Sequence, residues 1–68
     1  MNEMLKNKVR KFLEYSEMNK TKFCKRTDIS ATTLNSWLRG ERDISVRAEN
    51  RMIDFMQNYT KALVELAR

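Results

Sequence analysis

Asn19-Lys-Thr-Lys-Phe-Cys-Lys-Arg-Thr-Asp-Ile-Ser-Ala-Thr-Thr-Leu-Asn-Ser-Trp-Leu-Arg-Gly40 is the stretch on which the fold turns. Its inward-facing residues form two short sets, not one long run. Phe23, Cys24 and Thr27 stand at i, i+1 and i+4, a narrow face of one short helix, for which Asn19 is a good N-cap. Leu34, Trp37 and Leu38 stand at i, i+3 and i+4 of another, which Ser30 would cap and Gly40 would close. Only about three residues, Thr27 to Ile29, separate them. Two short helices on so tight a link predict a helix-turn-helix unit over about 19–40.

The flanks extend the helical reading. Leu5, Val9, Phe12 and Leu13 share one face of a first helix running from about Asn2 to Ser16, with Lys6, Lys8, Arg10 and Lys11 on its wet side. After Gly40 comes a polar turn, Glu41-Arg42-Asp43, and Ser45 (or Asp43) caps a C-terminal helix of about 46–67. Met52, Met56, Tyr59, Leu63 and Leu66 follow along it at spacings of four and three, with Ala48, Phe55 and Ala62 beside them every seven. Unbroken, that helix is on the order of 33 Å long at 1.5 Å per residue. The alternative is a break near Asn58, with Thr60 capping a fifth helix. The expectation is one all-α domain over 1–68, a compact bundle of four or five helices.

Composition narrows the partners. Sixty-eight residues lie near the lower limit for a chain that folds unaided. Cys24 is alone, and with no histidine the usual zinc ligand sets cannot be assembled, so no metal or other cofactor is expected. A single unpaired thiol fits a reducing, cytoplasmic setting. The charged start is unlike a signal peptide, and no run approaches the roughly 20 apolar residues of a membrane span. The net charge of +5 is concentrated in the middle: Lys20 to Arg47 holds seven basic residues against three acidic ones. Such an excess is an electrostatic footprint for nucleic acid, or simply a solvated helical surface. Scattered carboxylates, a lone thiol and no glycine-rich phosphate loop argue against an enzyme.

The stretch Asn19 to Gly40 resembles the helix-turn-helix of the phage repressor and Cro-like family, also called the xenobiotic-response-element type. The matching elements are the polar cap at Asn19, Phe23 followed by small Cys24, Ile29-Ser30, and then Thr32-Thr33-Leu34 with Trp37 and Gly40 at further intervals of three. Two positions depart from the family pattern: Asp28 stands at the turn position usually held by glycine, and Lys20 where a glutamine often begins the first helix of the motif. The resemblance implies a bundle of the lambda-repressor-like DNA-binding type. It also implies a sequence-specific regulator of double-stranded DNA, a repressor acting as a homodimer on an inverted repeat, with recognition helix 31–39 in the major groove.

With Leu34, Trp37 and Leu38 turned inward, the base-reading candidates are Ala31, Thr32, Asn35 and Ser36. Asn35 suits adenine, while Thr32 and Ala31 suit a thymine methyl. The phosphate-binding candidates are Asn19, Lys20, Thr21, Ser30, Arg39, Arg42 and Arg47, aided by helix N-termini at Asn19 and Ser45. Each has a plainer reading: Asn35 as a solvated helix residue, Ser30 as a cap alone, Arg39 as a partner of its own helix end, Cys24 and Trp37 as core. The stripe Met52, Met56, Tyr59, Leu63 and Leu66 either packs on the domain's own core or forms a dimer seam, and the seam is the expectation because the pattern runs on so far. A different class of function stays open: an interaction module, such as an antirepressor, an antitoxin or an inhibitor of a host machine, whose same surface meets an acidic protein. No membrane or small-molecule partner is expected.

Overall fold

The computed structural model describes residues 3–66, with the backbone alone described for 63–66. Four helices follow one another: α1 (Glu3–Ser16), α2 (Lys20–Thr27), α3 (Ala31–Leu38) and α4 (Val46–Leu66). No strand occurs among the described residues. None of these helices is long and apolar enough to cross a membrane.

The ends of the helices are set by local chemistry. Asn19 accepts a hydrogen bond from the Lys22 amide at 2.8 Å, and Ser30 accepts one from the Thr33 amide at 3.1 Å, so both expected N-caps form. Ser45, the first of the two candidates for α4, accepts from the Ala48 amide at 3.1 Å. Gly40 takes φ 78°, and its amide and that of Glu41 donate back to Trp37 and Ser36. That pair of bonds closes α3 as a Schellman motif. Asp28 takes the left-handed conformation (φ 57°, ψ 43°) without a glycine's freedom. α4 passes Asn58 unbroken, so there is no fifth helix among the described residues. Thr60 is not a cap; its hydroxyl donates to the Met56 carbonyl one turn back.

α2 packs between α3 and α4, and α1 lies against α4. Both inward sets of the helix-turn-helix are buried, together with Leu5, Val9, Ile29, Ala48 and Met52. Phe12, Phe23, Phe55 and Tyr59 extend this core as an aromatic cluster with tilted and edge-on ring contacts, the shortest being Phe12–Tyr59 at 5.3 Å between centroids. The molecule measures 41 × 20 × 19 Å. Its long axis is consistent with α4, whose 21 residues span about 31 Å.

Two expectations are corrected. Lys6 is not on the wet side of α1: it is fully buried, with its ammonium 5.7 Å from the Trp37 ring centroid and 3.4 Å from Glu3 Oε1. Its aliphatic stem is long enough to fill core space while the charged head meets an aromatic face and a carboxylate. Lys8, Arg10 and Lys11 are exposed. Met52 is not available to a dimer seam, because it is wholly buried in its own chain's core. Burying such a side chain is worth about 1.5–3 kcal/mol, and the first turns of α4 spend it on the fold. Met56 and Tyr59 are half-buried. The side chains of Leu63 and Leu66 lie outside the described residues.

Candidate nucleic-acid interface

α3 is anchored on three sides, which leaves one face outward. Leu34, Trp37 and Leu38 fix its inner side. Its C-terminal end is tied to α1, where the Arg10 guanidinium donates to the Leu38 carbonyl. Its N-terminal end hangs on the turn, which Arg51 of α4 holds by donating from Nε to the Thr27 carbonyl at 2.8 Å and from Nη2 to the Asp28 carbonyl at 3.3 Å. Inside the turn, the buried Thr27 hydroxyl donates to the Phe23 carbonyl at 2.8 Å. The two helices of the motif are therefore held at a fixed angle by groups on both flanking helices.

On the outward face, Ala31 and Thr32 are exposed and Asn35 and Ser36 half-buried. All four base-reading candidates thus lie on the accessible side of α3, which ends at Leu38 with Arg39 as its C-cap instead of running through 39. Lys20, at the start of α2, reaches this face: its Nζ donates to Asn35 Oδ1 at 3.1 Å. Two candidates chosen for separate roles stand together.

The phosphate candidates divide by how occupied they are. Asn19 and Ser30 already use their side-chain oxygens as caps. Ser30 also donates its hydroxyl hydrogen to Thr33 Oγ1 at 2.8 Å, which leaves the Thr33 hydroxyl hydrogen for an outside acceptor. Thr33 was missed in the sequence because it reads there as an ordinary helix position. Arg39 forks onto Glu41, with both contacts at 3.1 Å and both side chains mostly exposed. That hydrogen-bonded pairing, and then the Arg39 charge, holds the Glu41 carboxyl below its ordinary value. Lys20, Thr21, Arg42 and Arg47 are exposed, and Arg42 and Arg47 make no ion pair among the described residues.

The N-terminal ends of α3 and α4, at Ser30 and Ser45, converge on one cleft of about 250 Å³ that Arg42 also lines. Two oriented sets of backbone amides there suit an anion, but Asp28 and Asp43 line the same cleft and offset its positive charge. The N-terminus of α2, expected to act with that of α4, is not among its lining residues. Cys24 is buried, and burial pushes its thiol up against the opposing influence of Lys20, so it stays a neutral core group.

Arg10 and Arg51, which position the outward face, were not singled out in the sequence. Each acts on a carbonyl more than twenty residues away, and no local pattern marks such a partner. Comparison with known proteins found no family model, no curated relative and no solved structure that matches this chain.

Proposed function

We propose that the chain is a sequence-specific double-stranded DNA-binding protein of the regulatory, lambda-repressor-like type, which lays α3 in the major groove. The observation that carries this reading is the outward face of α3, where exposed Ala31 and Thr32 and half-buried Asn35 and Ser36 lie together, with Lys20 bonded to Asn35. An α-helix of this kind fits the major groove, and its short polar and methyl-bearing side chains suit base edges at close approach. The concentration of positive charge between Lys20 and Arg47 supports it, with Arg42 and Arg47 as the phosphate contacts best placed to act without first giving up another partner.

Selection of bound sequences from a random DNA pool tests the reading. A short enriched motif is expected, with binding that weakens steeply as salt rises, by a slope near −0.9 per phosphate contacted. An unenriched pool, or binding indifferent to Asn35→Ala and Arg42→Ala together, would overturn it. In that case the interaction-module reading takes its place.

A further inference from the structure

An open groove of about 900 Å³ runs between α1 and α4. Its floor and walls include Phe12, Ile53 and Met56, and at its rim Met4 is 71% and Tyr15 88% exposed. Isolated apolar side chains on a surface need no explanation, whereas these form one apolar trough open to solvent. It shares no lining residue with the outward face of α3 or with Lys20.

Three features of the groove specify its occupant. Its charged lining residues are Lys8, Lys11 and Lys61, and no carboxylate is among the described lining residues. Glu14 and Asp54, exposed on the same two helices, do not line it. Both walls are helices, whose backbone groups are already paired along their own axes. The walls therefore offer no strand edge to pair with, and an amphipathic helix, which satisfies its own backbone hydrogen bonds, suits the groove. Lysines stand on both walls, so a second copy placed face to face about a two-fold axis would bring lysine rims together, which is costly unless other charges intervene.

We infer that this groove docks an amphipathic helix of another protein, with apolar anchors at helical spacing flanked by aspartate or glutamate. Met56 and Tyr59, expected in the sequence to meet a second copy, would instead meet this partner. The domain could then hold its partner on the α1–α4 side while α3 stays free.

The experiment uses the full chain, immobilised, to select from a random library of displayed peptides long enough to form several helical turns. Enriched sequences are expected to carry apolar residues three and four apart with acidic residues beside them. A synthetic peptide of that consensus should bind, and Lys8→Glu with Lys11→Glu should weaken it by roughly tenfold or more while leaving the circular dichroism and melting of the protein unchanged. The same peptide with its acids changed to lysine should prefer the charge-reversed variant. An empty selection, or peptides without acidic enrichment that ignore the reversal, would overturn the proposal. So would a wild-type chain that sediments as a dimer and is returned to monomer by Tyr15→Ala, which would give the groove to a second copy.

Discussion

Lys20 Nζ donates to Asn35 Oδ1 at 3.1 Å, joining the first residue of α2 to the middle of the outward face of α3. Lysine is donor-only, so the amide has to present its oxygen to it, and the orientation of Asn35 follows. The carbonyl oxygen keeps a second lone pair and the amide nitrogen keeps both hydrogens. That is the set needed to accept from adenine N6 and donate to N7. On the DNA-binding proposal, an exposed lysine would thereby act on base recognition through a neighbour as well as on phosphates.

Asn35→Ala should therefore relax base preference at one position of the selected motif, at a cost of about 1–3 kcal/mol. Lys20→Met, which keeps the stem and removes the donor, should relax preference at that same position by a smaller amount. The two effects should be less than additive when combined, as expected of residues in contact. Quantitative binding to a set of single-base variants measures this. A Lys20→Met effect spread evenly over every sequence would reduce Lys20 to a phosphate charge.

The turn between α2 and α3 carries a strain that can be measured. Asp28 holds φ 57° without being glycine, at a cost of roughly 1 kcal/mol. Asp28→Gly should raise stability by up to about 1 kcal/mol, since the left-handed position then comes free of steric penalty, less the added flexibility of the unfolded chain. Gly40→Ala should do the reverse, losing about 1 kcal/mol or more at φ 78°. Urea unfolding of both variants reports the two signs.

Arg51 is the long-range tie of the same turn, donating to the Thr27 and Asp28 carbonyls. Arg51→Met keeps most of its length and removes both donations. Hydrogen bonds from charged donors are worth about 1.5–3 kcal/mol, and the outer of these two is exposed, so a loss near the lower end is expected. Hydrogen exchange should show the loss concentrated in the amides around the turn. Protection lost evenly along the whole chain would place the contribution of Arg51 elsewhere.

The two short helices α2 and α3 and the turn between them were legible because their determinants are local. Asn19, Ser30 and Gly40 each act within five residues of themselves, and the two buried sets repeat at helical spacing whatever surrounds them. Asp28 takes the left-handed region at the position where the resemblance puts a glycine, so that conformation was legible through the resemblance and not from the turn alone. The flanking helices were read less completely. Spacings of four and three look the same whether a stripe meets its own core, as Met52 does, or leads onto a groove wall, as Met56 does. Lys6 reads as surface by its chemistry and is buried by where α1 lies against Trp37. Of the candidate site, the outward residues of α3 were legible. The pairing of Lys20 with Asn35 and the capture of Arg39 by Glu41 belong to side-chain geometry.

Lys6 offers a test of what a buried cation contributes. Lys6→Met, which keeps the apolar volume and removes the charge, should change stability little, because the desolvation cost of the ammonium offsets its contacts. Lys6→Ala empties the space beneath Trp37 and should cost about 2–4 kcal/mol. Unfolding followed by Trp37 fluorescence measures both and reports the packing at the indole directly. Equal losses in the two variants would assign the stabilisation to the charge, not to the stem.

Arg39 and Glu41 give the last prediction, and it runs against the usual effect of removing an ion pair. Because Arg39 is forked onto Glu41, two of its five N–H donors are taken and the carboxylate offsets the charge it can offer a phosphate. Glu41→Gln should therefore raise DNA affinity several-fold at low salt and steepen the salt dependence by about one phosphate equivalent, and Arg39→Ala on that background should cancel the gain. The sign of the pH dependence follows from the lowered Glu41 carboxyl. A depressed acid contributes stability that is complete above its ordinary value of 4.5 and is lost as pH falls through the lowered folded value. The pair therefore persists between about pH 6 and 8, where the chain also has no histidine to titrate, and the gain from Glu41→Gln should be the same across that window. Fluorescence anisotropy on the selected site at several salt concentrations and two pH values decides it. A Glu41→Gln variant that binds no more tightly than the wild type would remove Arg39 from the interface.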